Sequence, residues 1–168
     1  MKPFLAAIPF IAGIFMNAQE NYIQINGSTN INTFKCTNTT FRTPGVNFMI
    51  SEKSLPNIAL KVDDFDCHNK IMTSDFQKTL LAEDHPYLHI KFISLDRNKA
   101  VYNAQIEVKM INRSKIYNIT LCLENGKLTG RRSVKFSDFN ISPPKRMGGM
   151  IVVKDDLNLV FALAANTQ

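Results

Sequence analysis

Few residues in this chain could build a linker or a cystine scaffold: it has seven glycines, seven prolines and three cysteines in 168 residues. So little Gly and Pro excludes a low-complexity or collagen-like chain, and three Cys are too few for a small disulfide framework. Long apolar runs are missing too: no stretch reaches the roughly 20 residues that span a bilayer. Nor is charge of one sign concentrated. Twenty Lys+Arg against 14 Asp+Glu give +6, scattered along the chain with local pairs at Arg131-Arg132 and Lys145-Arg146. No stripe of stacking aromatics runs between the cations, so a nucleic-acid groove is not expected. A Gly-x-Ser-x-Gly elbow, a P-loop and a dinucleotide fingerprint are all absent, which argues against an enzyme. What remains is 45% hydrophobic and 20% charged, the composition of one globular domain.

The N-terminus is set apart from that domain. Lys2 precedes an uncharged stretch, Pro3 to Gln19, whose apolar part ends at Met16 and is interrupted by Pro9 and Gly13. This reads as a secretory signal peptide over residues 1–18, cleaved near Ala18, with a periplasmic or secreted domain over 19–168. Cleavage would remove one charge, Lys2, and leave +5. Export into an oxidising compartment makes a disulfide plausible. Cys36 lies in polar TFKCTNTT and Cys67 in acidic DDFDCHN, whereas Cys122 sits inside apolar ITLCL. The expected pair is Cys36–Cys67, with Cys122 a buried free thiol; three reduced, buried cysteines are the alternative.

Alternation of period two dominates the mature chain, as half-buried strands require. Tyr102, Ala104, Ile106, Val108 and Met110 share one face against Asn103, Gln105, Glu107 and Lys109. Leu88, Ile90 and Phe92 form another such face, as do Tyr117, Ile119, Leu121 and Leu123, then Leu128, Val134 and Phe136, then Leu157, Leu159, Phe161 and Leu163. Glu124-Asn125-Gly126-Lys127 is a tight hairpin turn between two of them. Earlier strands are expected at Tyr22–Asn26, Ser28–Cys36, Val46–Ile50 and Ile58–Val62, with turns at Gly27, Pro44-Gly45 and Pro56-Asn57. One helix is expected over about 73–84, opened by a Ser74/Gln77 capping box and stopped by Pro86.

Eight or nine antiparallel strands with one apolar face want to close, because closure removes exposed edges. Barrel and two-sheet sandwich satisfy the pattern equally. If a lumen exists, its wall is expected from Phe48, Ile50, Leu60, Val62, Phe92, Ile106, Val108, Ile119, Leu121, Phe136, Leu159 and Phe161. The same side chains would serve equally as a filled core.

Three segments also resemble, in order, the YceI-like family of exported lipid-binding domains: INGSTNINTFKC, DFDCHNKIMTSDFQKTLLAEDHPYLHIKF and KFSDFNISPPKRMGGMIVVKDDLNLVFAL. The last carries the family's Asp-Phe-x-Ile tetrapeptide as Asp138, Phe139, Asn140 and Ile141. Two stretches depart from the pattern: the turn Ile111-Asn112-Arg113-Ser114 and the polar segment CTNTTF. The resemblance implies an all-β, antiparallel, eight-stranded lipocalin-like barrel with one short helix, holding an isoprenoid or fatty-acyl lipid. It implies a non-enzymatic carrier without cofactor or stable membrane insertion, acting as a monomer or homodimer. A filled barrel serving as an envelope protein-interaction module is the alternative.

The acidic run Asp63, Asp64, Asp66, Cys67 and His68 fits neither an EF-hand nor a tandem-His zinc motif, so no metal is expected there. His85 and His89 straddle Pro86 and share no helix face. The sequons at Asn26, Asn38, Asn112 and Asn118 follow from an Asn- and Thr-rich composition.

Overall fold

A computed structural model describes residues 21–40, 55–99 and 101–165. The expected leader, the strand Val46–Ile50 and the wall candidates Phe48 and Ile50 lie outside the described residues.

Strands β1 (Tyr22–Thr29), β2 (Thr33–Asn38) and β3 (Asn57–Lys61) precede helix α1 (Lys70–Thr79). Then come β4 (Tyr87–Asn98), β5 (Val101–Met110), β6 (Arg113–Glu124), β7 (Lys127–Lys135), the two-residue β8 (Lys145–Arg146) and β9 (Ile151–Ala164). Eight strands form one antiparallel sheet in the order β2-β1-β9-β7-β6-β5-β4-β3, and β8 pairs with β9 alone. The sheet curls into the lipocalin-like barrel form, with the alternating apolar faces turned inward. In β5, Tyr102, Ala104, Ile106, Val108 and Met110 are all buried while Val101, Asn103 and Lys109 are exposed.

The two end strands, β2 and β3, meet without a ladder of their own. Thr37 instead forms a two-bond bridge with Asp66, beyond β3: Thr37 N donates to Asp66 O at 2.8 Å and Asp66 N to Thr37 O at 2.9 Å. Next to that bridge, Cys36 and Cys67 are joined in a disulfide. On its other side the fully buried Asn38 donates through Nδ2 to Lys61 O at 3.0 Å. With Thr40 Oγ1 donating to Asp64 Oδ2 at 2.7 Å, one covalent bond and four hydrogen bonds hold the seam among the described residues.

Several expectations change in detail. Gly27 is not a turn residue; it lies within β1, directly opposite Phe34. The turn comes later, where Thr29 Oγ1 accepts from Ile31 N at 3.1 Å and Asn32 N at 2.9 Å. Helix α1 starts at Lys70, ahead of the expected residue 73, because Asn69 caps it: its Oδ1 accepts from Ile71 N and Met72 N, both at 3.0 Å. Asn is among the best N-cap residues. Gln77 does not complete a capping box but donates to Asp63 O at 3.1 Å. Leu81, at φ 52°, turns the chain out of the helix before Pro86. Phe76 and Leu80, four apart on one face, are both buried. Cys122 is exposed, contrary to the buried thiol expected, since its inward neighbours Leu121 and Leu123 leave it on the outer face. In β4 a bulge at Ile93 adds one residue, so Leu95 faces inward after Phe92.

Candidate functional site

Where β1 turns into β2 and β9 begins, α1 crosses that end of the sheet and leaves an apolar pocket beneath it, with a volume of about 420 Å³. Its floor is Phe76 and Phe136, 5% and 2% exposed. Its sides are Phe34, Met72, Ile151 and Val153. Gly27 sets the position of one wall, because the Phe34 ring lies directly over it. Pockets of a few hundred Å³ with apolar linings are the usual sites for small apolar ligands.

Two ties hold the pocket's rim. Arg146 of β8 forms an ion pair with Asp75 of α1, joining the helix to the hairpin that leads into β9. Asn30 joins the β1–β2 turn to the same hairpin: Asn30 N donates to Val152 O at 3.1 Å, its Nδ2 to Met150 O at 2.9 Å, and Val152 N to its Oδ1 at 3.0 Å. Between β8 and β9 the chain passes through Met147, Gly148 and Gly149 at φ 52°, 66° and 95°. Two of these three left-handed positions are glycine, which adopts them without steric cost.

Of the wall candidates, Leu60, Val62, Phe92, Ile106, Val108, Ile119, Leu121, Leu159 and Phe161 all face inward at 4% exposure or less. They form one packed cluster. Phe136 belongs both to that cluster and to the pocket, and so connects the two. Phe34, Met72, Ile151 and Val153 were not anticipated, because they come from hairpin and helix positions whose meeting no local period encodes.

A second unanticipated feature is Arg132. Its register partner on β9 is Leu159, which places it on the inward face of β7. Its guanidinium lies 5.3 Å from the centre of the Tyr117 ring, and its Nε is buried without a hydrogen-bond partner among the described residues. Space for it exists because β6 and β7 pair only from Leu121–Glu124 against Lys127–Gly130 and then diverge. The 3-10 turn Phe136–Phe139 packs beside this divergence.

Asp138 fastens that turn. It accepts from Tyr117 Oη at 2.6 Å and from Lys135 N at 3.2 Å, and pairs with Lys115 Nζ. Burial works to raise its pKa, but the hydrogen bonds from Lys115, Tyr117 and Lys135 outweigh it and hold the carboxyl below its usual value. Burial, then the Asp138 carboxylate, push the Tyr117 phenol well above its ordinary range. Phe139 and Ile141 are buried and Asn140 adopts a left-handed cap at φ 57°. The Asp-Phe-x-Ile tetrapeptide therefore has a structural task in this chain.

The acidic run disperses. Asp63 pairs with Lys61 at 3.5 Å, Asp64 accepts from Thr40 Oγ1 at 2.7 Å, and Asp66 accepts from His68 N at 2.9 Å. Among the described residues no three metal-ligating side chains gather, and no helix is long and apolar enough to cross a membrane.

No protein-family model matches the chain, and no curated protein matches it significantly. Solved structures do. BcnA of Burkholderia cenocepacia is 14% identical at a TM-score of 0.66, covering 86% of this chain and 96% of its own. The Campylobacter jejuni YCEI protein is 14% identical at 0.60, covering 79% and 84%. A polyisoprenoid binding domain from Saccharophagus degradans, implicated in plant cell wall breakdown, is 8% identical at 0.62, covering 89% and 97%. With TM-scores of 0.60–0.66 over 79–89% of this chain, the chain shares the fold of the YCEI protein.

Proposed function

We propose that the protein is an exported, non-enzymatic lipid-binding protein that carries or sequesters an isoprenoid or fatty-acyl chain. The observation that carries this reading is the apolar pocket of about 420 Å³ beneath α1, floored by Phe76 and Phe136. Support comes from the likeness to a polyisoprenoid binding domain. Each methylene withdrawn from water contributes about 0.8 kcal/mol, so a chain a dozen carbons long gains about 10 kcal/mol gross to set against the cost of ordering it. Phe136 closes the pocket against the packed inward-facing cluster, so a longer chain would leave its far end at the open mouth.

Protein purified from its own host is analysed by native mass spectrometry and lipid extraction, and tested for binding of an apolar fluorescent probe. A copurifying prenyl or acyl lipid, displaced by the probe, is the expected result. If no lipid copurifies and the probe does not bind, the carrier reading fails.

A further inference from the structure

Around the mouth of the pocket stand four large apolar side chains in solvent: Ile31, Ile71, Met147 and Met150, at 66%, 74%, 69% and 73% exposure. They come from three elements, the β1–β2 turn, the first turn of α1 and the loop before β9. The structure gathers them at one place. Ile71 and Met147 line the pocket itself, and Asn30, beside Ile31, is bonded to the carbonyl of Met150. Single exposed apolar residues are ordinary; several on one rim mark a contact surface. Three of the four sit at turn or loop tips and the fourth on an outer helix face. Side chains that project in this way suit a fluid phase more than the complementary face of a folded partner.

The charge on this rim is basic by a small margin: Lys70, Lys145 and Arg146 stand against Asp75 and against Asp66, which shares a surface hollow with Lys70. Lys70 adjoins Ile71, and Lys145 precedes Arg146 and Met147; both lysines are exposed, and neither has an ion-pair partner among the described residues. Asp75, the acid at the pocket, is neutralised by Arg146. Apolar tips flanked by unpaired cations match the layered chemistry of an anionic membrane surface, with phosphates outside and hydrocarbon within.

We infer that this rim docks the protein reversibly on an anionic phospholipid bilayer. Ile31, Ile71, Met147 and Met150 enter the interfacial layer, Lys70 and Lys145 face the headgroups, and the pocket opens onto the phase from which it takes its chain. The role given to the pocket rests on the proposed function, but the docking itself is tested separately.

The purified protein is floated with phosphatidylcholine vesicles made with and without phosphatidylglycerol. Binding should require the anionic lipid and weaken as salt screens it. Lys70→Gln and Lys145→Gln should each weaken binding by about fivefold. Ile31→Asn combined with Met147→Gln should weaken it by roughly tenfold or more, with the melting temperature unchanged because both sites are exposed. Failure of the wild type to bind anionic vesicles, equal binding to neutral ones, or variants that bind like the wild type would each overturn the proposal, the first also being the result if a protein partner occupies the rim. Probe binding in solution is measured alongside. A protein that binds the probe but no vesicle loses the docking proposal and keeps the carrier reading; one that binds vesicles but no probe does the reverse.

Discussion

Gly27 and Phe34 face each other across β1 and β2, and a Cβ on Gly27 would come within 2.2 Å of Phe34 Cζ. The aromatic ring occupies the space of the missing side chain, and the same ring forms one wall of the pocket. Gly27→Ala should therefore displace Phe34, at a cost of about 1–3 kcal/mol typical of overpacking, and should weaken chain binding. Urea unfolding and probe titration of the same variant measure the two effects. A fully stable variant with unchanged binding would show that the ring's position is not set by Gly27.

The three cysteines should divide cleanly in a thiol assay. Native protein should offer one reactive thiol, Cys122, and reduction should release two more from Cys36 and Cys67. The disulfide separates residues 31 apart, so its loss in a Cys36→Ser/Cys67→Ser protein should cost about 3–4 kcal/mol by the chain-entropy relation. Denaturant unfolding with and without reductant checks the figure.

Asp138 makes stability depend on acid. Its carboxyl binds a proton less readily when folded than when unfolded, so its contribution is fully present above the unfolded value near pH 4 and is lost as pH falls through the lower folded value. Asp138→Asn should cost about 1.5–3 kcal/mol at neutral pH through its charged hydrogen bonds, and that difference should shrink toward pH 2. Tyr117 has the opposite sign: its raised pKa gives a contribution that is present below the unfolded value near pH 10 and is lost as pH rises through the folded one. Thermal melts across pH, with Tyr117→Phe as the alkaline comparison, read both.

Arg132 separates volume from charge. Replacement by Met keeps the bulk and removes the partnerless buried Nε, an orphan that costs about 1–3 kcal/mol, against a cation–π contact worth about 0.5–2 kcal/mol. Arg132→Met should leave stability within about 1 kcal/mol of wild type or raise it, whereas Arg132→Ala should lower it by more through the cavity it opens. Equal losses in both would show that the guanidinium itself stabilises the sheet.

Inward faces are legible wherever a strand keeps strict alternation, as in β5, because successive side chains point to opposite sides. Legibility ends at Phe92 because the bulge at Ile93 shifts the parity. Gly27 and Cys122 mislead by residue type: glycine suggests a turn and an apolar neighbourhood suggests burial, although the alternation through Leu121 and Leu123 already places Cys122 outside. Arg132 is hidden in the same way, since an arginine on an inward position runs against the hydrophobic pattern. The pocket is the least legible part, because residues 29–34, 71–79, 136 and 144–153 meet only in three dimensions.

The limited β6–β7 ladder has a directional consequence. Two staves stitched near the Asn125–Gly126 turn and parted further along give a flared wall in place of an even cylinder. The wide end is the one with α1 laid over it. Removing the 3-10 turn that wedges the gap would then loosen the sheet from the helix-covered end first, while the end near Asn125 stays laced.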